Sequence, residues 1–463
     1  MLLAEEGKLS LDQQVSEFIP EFTAPDGPVT IHHLLGHTGG LREVNSLIAL
    51  TGQSPASPLT HARSLDLILR QRGANFPAGT RSEYSNTGYE LLAEIVARVS
   101  GQPFAQFMES RIFAPLGMDE TLVRTDPDAI LRKLAHSYRP RGDGFARQHL
   151  LSATFGSTGI VSTPRDLLRW ANAFDTGEVG GEAILRRMAV RSTLADGTPL
   201  IAANGLEFRD LRGLGTWSHG GSTGGFRSFL LRIPDARMNI VVMSNRDNFL
   251  KAAFAFDIAK VLLEDRLEPK EESAPPPSTL EALDSYVGDY RLFAGIVFSI
   301  RRDGDRLTFA RFGSDDASAL PEIEPGAFVL DPNRELRIEF HDFADGKATR
   351  MRWQISEDGF IPAPRVDMLP VPDTSPDYGK LTGSYYSQSL QQVVSLSEEE
   401  GELWLRAGSG ERFLLVLYQP DTFYTANGGS IQRVKLVRNG HGSVGGLLVS
   451  AALADDIVFR RME

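Results

Sequence analysis

An eleven-residue run at 269–279, PKEESAPPPST, divides this sequence into two halves that follow different periodicities. Proline locks φ and carries no N–H, so three in succession among polar residues join neither a helix interior nor a sheet ladder. The run reads as a semi-rigid linker. Ahead of it, apolar residues recur at helical spacing between strand-like stretches. Behind it the helical period vanishes, and short strand-like runs alternate with Gly, Asp and Asn turns. At 463 residues the chain exceeds the roughly 250–300 at which one hydrophobic core stops growing, so the linker is expected to separate domains.

Residues 1–268 mix the two periods. NTGYELLAEIVARVSG puts Leu91, Leu92, Ile95, Val96 and Val99 on one helical face and ends on Gly101. Pro103 opens another helix with Phe104, Phe107 and Met108 inward. In STPRDLLRW, Thr163 is the predicted N-cap, Pro164 the first helical residue and Asp166 the partner completing a capping box. Ser10 and Gln13 make a similar pair for a short helix ending before Pro20. FRSFLLRIPDARMNIVVMSN reads as two strands joined by a tight turn at Asp235-Ala236, and FAFDIAKVLLEDRL as a helix closing over that sheet. Helices gathered around an antiparallel sheet predict an α+β domain.

The C-terminal half repeats. LDSYVGDY is answered by YGKLTGSY, so Gly288 and Tyr290 match Gly383 and Tyr385 at an offset of 383 − 288 = 95 residues. Each is followed by a turn and a strand, RRDGDRLTF and EEEGELWL. Such units exceed the roughly 20–50-residue period of solenoids. Two small antiparallel β-barrel domains are expected, at 280–372 and 373–463, because closure removes exposed edges. DTSPD around residue 375 marks the break between them.

A formal charge of −12 argues against nucleic acid or an anionic membrane surface as a partner. The absence of cysteine excludes disulfides, thiolate metal sites and a cysteine nucleophile. No apolar run reaches the ~18 residues needed to span a bilayer.

Three stretches carry candidate chemistry: HHLLGHTGGL, FPAGTRSEYSNTGYELL and TWSHGGSTGGFRSFLL. Each has an ordinary explanation. Asn86, two residues after Tyr84, could simply cap the helix that follows. His219-Gly220-Gly221 could be a turn with a surface histidine. His33 and His37 stand at i and i+4, as metal ligands on a helix do, but the glutamate of an HExxH motif and a third ligand are missing, so a structural role is expected and no metal is implied.

The order of these stretches, with IFAPLGM, GSTGIVSTPRDLLRW and IPDARMNIVVMSN between and after them, resembles the penicillin-recognising serine hydrolases, and within them the class C β-lactamase, D-aminopeptidase and esterase branch. The resemblance covers nearly all of residues 1–265. It implies a β-lactamase/transpeptidase-like catalytic domain at 1–268 and an acyl-enzyme mechanism without metal or organic cofactor. In that family a Ser-x-x-Lys supplies the nucleophile, a Tyr-x-Asn a base and an amide, and a Lys-Thr-Gly or His-x-Gly strand a proton partner and backbone donors. Carried over, Tyr84 is the general base and later the acid, with its pKa lowered by the neighbouring lysine. Asn86 holds the acyl amide, and His219 replaces the strand lysine. Gly220 and Gly221 let the strand approach substrate, and the N–H of Ser222 is half of the oxyanion hole.

No serine in the 463 residues has a lysine three positions on; Ser162 with Arg165 comes nearest, and arginine does not give up its proton. LLAEEGKL at the start looks like the tail of the helix that carries Ser-x-x-Lys in the family, with Gly7 as its terminal glycine. A helix ending near residue 6 is short of the usual 11–12 residues, so its first turns are expected upstream of Met1. The chain as written is therefore expected to form no acyl-enzyme and to be destabilised; the alternative is a natural product that has lost the chemistry and kept a pocket. Any targeting signal would also lie upstream, so neither cytoplasm nor periplasm is assigned.

A His-x-Gly strand and two appended β-domains resemble D-aminopeptidase in arrangement, where a loop of the last barrel limits the substrate. Asn427 to Ser430 and Arg438 to Gly446 are the candidates for such a loop, although plain hairpin turns, which Asn-Gly signals well, are the favoured explanation. The expected partner is a small-molecule or short-peptide substrate, with a homodimer as the candidate assembly. Hydrolysis of a small amide or ester, foremost a D-residue peptide, stands beside two alternatives: a broad-specificity esterase, and a non-catalytic binder of peptidoglycan-like peptides.

Overall fold

The computed structural model describes residues 1–24, 26–53, 57–200, 202–269, 278–293, 296–312, 316–331, 336–356, 359–368, 376–426 and 429–462. Of the expected linker, residues 270–277 lie outside these, as do 369–375 at the expected second break. Two compact units form: Met1–Ile48 with Gln53–Pro269, and Ala49–Gly52 with Lys270–Glu463. Among the described residues no helix is long and apolar enough to cross a membrane.

In the first unit, α1 is Leu2–Glu5; Gly7 behind it, at φ 68°, lets the N–H groups of Gly7 and Lys8 return to Ala4 and Leu3. The second helix, α2 (Val15–Phe18), differs from expectation. Its capping box is Gln14 with Glu17, not Ser10 with Gln13. Ser10 N–H still donates to Gln13 Oε1 at 2.8 Å, but in the turn before the helix. Burial of Val15 and Ile19 sets the register in which the later box wins.

Helix α3 (Ile31–Leu35) is capped by Thr30 and packs on α6, after α4 (Val44–Leu50) and α5 (His61–Leu69). Helix α6 (Asn86–Ser100) buries Leu91 and Ile95 fully and ends on Gly101 at φ 70°, as its sequence predicts. A Cβ on Gly88 would stand 3.2 Å from the Leu34 carbonyl oxygen, so this glycine sets how closely α6 lies against α3. Helix α7 (Phe104–Met108) continues into a π-helical turn at Glu109–Phe113. Thr163 caps α8 (Pro164–Thr176), but Asp166 does not reach back to it. Its carboxylate accepts instead from Glu120 N–H and Thr121 Oγ1 at 2.9 Å each, which ties α8 to the preceding loop.

The sheet of this unit runs Met238–Ser244 (β5), Phe226–Ile233 (β4), Leu214–Thr223 (β3), Leu206–Leu211 (β2) and Ala202–Ala203 (β1), with every pairing antiparallel. After α9 (Gly181–Met188), α10 (Lys251–Leu262) covers one face, setting Ala255, Phe256 and Ala259 against Phe229, Leu231, Ile240 and Val242. Side chains alternate across a strand, so Trp217 and Phe208 lie on the other face, where Phe174 of α8 meets them.

In the second unit, a nine-stranded sheet built from Gly288 to Val366 is nearly closed. Its end strands, Ser318–Leu320 and Glu322–Glu324, follow each other in the chain without pairing among the described residues. Eight strands from Gly383–Ser387 to Ala454–Arg461 close a barrel, the last pairing back to the first through Tyr385 and Arg461. The repeat seen in sequence is physical. Tyr290 Oη donates to the Tyr286 carbonyl at 2.8 Å and Tyr385 Oη to the Leu381 carbonyl at 2.7 Å, each four residues back. Arg365 and Arg461 each lie 5.9 Å from the matching tyrosine ring. Each also donates, at 2.7 Å, to the carbonyl just before the matching glycine. Arg438 to Gly446 includes a hairpin turn closed by Asn439 N–H to the Ser443 carbonyl at 2.8 Å. Asn427 lies outside the described residues.

Candidate functional site

Three chain segments meet at the candidate site. The first is the loop after α3. His37 there adopts φ 56°, and Gly40, at φ 66°, lies so near Phe76 that a Cβ would fall 1.9 Å from its carbonyl oxygen. His37 Nδ1 accepts the Ser85 N–H at 3.2 Å, while its ring lies 4.5 Å from that of Tyr84 and 5.2 Å from that of Tyr89. Burial pulls the imidazole down to about 4, and the charge of nearby His219 adds to this, so His37 is neutral. His33 Nδ1 accepts from Thr30 N–H. The Nδ1 of His33 thus serves the start of its own helix and that of His37 the Ser85 N–H, and no group of three metal-ligating side chains occurs among the described residues.

The second segment is the start of α6. Ser85, not Asn86, occupies the N-cap position. Asn86 is the first helical residue, and its side chain does not cap. Its Nδ2 donates to Glu43 Oε1 at 2.7 Å and its Oδ1 accepts from Tyr84 Oη at 3.4 Å. Glu43 precedes α4 and is nearly fully buried. It gathers Asn86 Nδ2, Asn45 Nδ2 and the Ser46 N–H, and burial raises its pKa. The Tyr84 phenol moves upward, first by desolvation and then through the negative charges of Glu43 and Glu207. This reverses the lowering expected from the resemblance, because the cation invoked for it is absent from this chain while two carboxylates face the ring.

The third segment is β3. Its pairing with β2 ends at Ser218–Glu207, so the part from His219 to Thr223 runs on alongside β4 alone. His219 is lowered by burial, with Lys251 lowering it further and Glu207 opposing. Tyr84 and His219 share neighbours: the His37 ring lies against Tyr84 and feels the charge of His219, and Glu207 acts on both. The glycines do more than thin the strand. A Cβ at Gly220 would meet Lys251 Cε at 3.1 Å, and one at Gly221 would meet Ser228 Oγ at 2.4 Å. Ser222 is exposed; its Oγ and the Gly221 carbonyl both receive Lys251 Nζ, the latter at 2.8 Å.

Glu43, Glu207 and Lys251 were not singled out by sequence. Each is a single charge with a partner far along the chain, Glu43 with Asn86 and Lys251 with Gly221.

A family model described as Beta-lactamase matches residues 1–262. A D-aminopeptidase of Cereibacter sphaeroides is 25% identical over 466 residues, covering 97% of this chain and 84% of the relative. A D-aminopeptidase of Brucella canis is 26% identical over 310 residues, covering 66% and 57%. Among solved structures, an octameric penicillin-binding protein homologue from Pyrococcus abyssi superposes with a TM-score of 0.52 at 22% identity, covering 78% of this chain and 84% of the other. SurE does so with 0.53 at 21%, covering 79% and 84%. The structural likenesses speak for the fold, and the family model spans the whole unit in which Tyr84, Asn86 and His219 come together. The chain belongs to the Beta-lactamase family, among the penicillin-recognising serine hydrolases.

Proposed function

We propose that the complete protein hydrolyses small amides or esters through a Ser-Lys-Tyr acyl-enzyme, and that its preferred substrate is a short peptide or amide beginning with a D-residue. Tyr84 takes the proton of the serine hydroxyl as its oxygen attacks the carbonyl carbon. When the C–N bond breaks, Tyr84 returns that proton to the leaving amine, and water then repeats the cycle on the ester. Asn86 holds the acyl amide, His219 is the proton partner on β3, Gly220 and Gly221 give the strand its close approach, and the Ser222 N–H is one oxyanion donor. The nucleophile comes from a Ser-x-x-Lys that these 463 residues do not contain, so this chain alone forms no acyl-enzyme.

The observation that carries the reading is the side chain of Asn86. Freed from capping, it is held by Glu43 with its carbonyl toward the Tyr84 hydroxyl. The D-aminopeptidase relative, aligned over 97% of this chain, supports the substrate class. A broad esterase is the second reading: neutral His219 stands where a lysine would be, and nearby Lys251 is engaged by the Gly221 carbonyl and Ser222 rather than held free for a substrate carboxylate.

The test has two arms. Incubated with p-nitrophenyl acetate, this chain should show no mass increase on any serine; an acyl adduct refutes the account of the nucleophile. A form extended through the upstream reading frame should cleave D-alanine p-nitroanilide in preference to the L-isomer. Turnover of p-nitrophenyl esters alone assigns an esterase, and binding of D-peptides without turnover assigns the non-catalytic reading.

A further inference from the structure

Lys251 opens α10 and turns its side chain back across β3. Its stem lies against Gly220, where a Cβ would crowd Cε at 3.1 Å and Nζ at 3.5 Å. A bare residue at 220 therefore keeps a lane open for the lysine. At the end of that lane Nζ donates to the Gly221 carbonyl at 2.8 Å and to Ser222 Oγ. The carbonyl of Gly221 and the N–H of Ser222 are the two ends of one peptide group. A cation on the oxygen draws electron density through the amide and makes its N–H a stronger donor, the cooperative effect known for hydrogen-bond chains.

We infer that Lys251 is a positioning residue which pins and polarises the Gly221–Ser222 peptide, so that the Ser222 N–H binds a developing oxyanion more strongly than an unassisted amide would. The inference rests on the assignment of the Ser222 N–H to the oxyanion hole. The lysine touches no substrate; it acts through the peptide. Burial and Arg227 of β4 lower its pKa to about 8, and Glu207 of β2 opposes them. Its charge acts in turn on His219 of β3. The polarisation is therefore present below about pH 8 and lost above it as Nζ gives up its proton.

Strengthening one oxyanion donor by roughly 10–30% corresponds to about a two- to eightfold effect on acylation rate. Amide NMR on this chain reads the peptide directly. In the wild type the Ser222 amide proton should move upfield as pH rises through about 8. In Lys251→Met it should stay upfield at every pH, and in Lys251→Arg downfield at every pH. Gly220→Ala, which blocks the lane while leaving the lysine in place, should also remove the pH response. If the Ser222 amide behaves alike in wild type and Lys251→Met, the inference is overturned. In the extended, active form, Lys251→Met should lower kcat two- to eightfold with KM unchanged, and Lys251→Arg should restore it. An amide that follows Lys251 while kcat does not change would leave the polarised peptide standing and remove Ser222 from the oxyanion hole.

Discussion

Glu90, on α6, is 2% exposed and has no full counter-charge, which makes it the group through which pH should act on the first unit. Its Oε2 accepts Ser64 Oγ at 2.6 Å and lies 3.8 Å from His61 Nδ1; its Oε1 accepts Ser157 Oγ at 3.4 Å. The histidine separation suggests an ion pair, yet both groups shift toward neutrality. Burial raises Glu90 to about 7, helped by Glu43, and burial lowers His61 to about 4. The geometry agrees: His61 Nδ1 is occupied as acceptor of the Phe155 N–H at 3.4 Å, so it offers Glu90 no proton. Desolvating two charges costs more here than their attraction returns. The sign for Glu90 follows. Unfolded, it ionises near 4.5; folded, near 7, so stability falls as pH rises between those values and the loss is complete above 7, at about 3 kcal/mol. His61, ordinarily near 6.5 and folded near 4, makes stability rise with pH across that window by a similar amount, about 3 kcal/mol, so the two nearly cancel in the wild type. Glu90→Gln keeps the shape and removes one partner. Hydrogen exchange of α6 amides, read by mass spectrometry at matched pH, should show variant and wild type alike near pH 4.5 and the variant slower by a factor on the order of a hundred at pH 8. A ratio that stays constant over this range would mean that Glu90 ionises normally or is paired with charged His61, and would refute the reasoning.

Two further outcomes follow from buried donors. Glu43→Ala leaves Asn86 Nδ2, Asn45 Nδ2 and the Ser46 N–H without their acceptor and should cost about 2 kcal/mol in urea unfolding followed in the first unit. Tyr290→Phe and Tyr385→Phe each remove a hydroxyl that donates to the carbonyl four residues back; Tyr290 Oη also lies 3.4 Å from the Ala348 carbonyl. Each should lower stability by about 1 kcal/mol in thermal unfolding.

Local chemistry made much of the fold legible. Thr163 and Pro164 fix the start of α8, Gly101 fixes the end of α6, and Pro234 to Ala236 turn β4 into β5 because each acts on residues within four positions of itself. The same rule explains the misreadings. SLDQQVSE holds two successive capping boxes, and only the burial of Val15 and Ile19 decides between them. Asp166 satisfies the sequence pattern of a box, yet its carboxylate is used by Glu120 and Thr121, about 45 residues earlier, as the separation of 46 for Glu120 illustrates. Glu43 meets Asn86 across 43 positions and Lys251 meets Gly221 across 30. Charged residues usually face water, so no local pattern marks the few that turn inward.

Those inward charges also say what the site lacks. Tyr84 feels Glu43 and Glu207, both negative, and its pKa is raised. The nearest imidazoles, His37 and His219, are both shifted toward neutrality. The cation that does lie close, Lys251, spends its donors on the Gly221 carbonyl and Ser222. A phenol in such surroundings holds its proton and is a poor base. An ammonium one helical turn from a serine would reverse the sign at Tyr84, since an opposite charge within ~4–6 Å favours the phenolate. The Tyr84–Asn86–Glu43 arrangement is thus electrostatically matched to a cation, which the proposed Ser-x-x-Lys would supply together with the nucleophile.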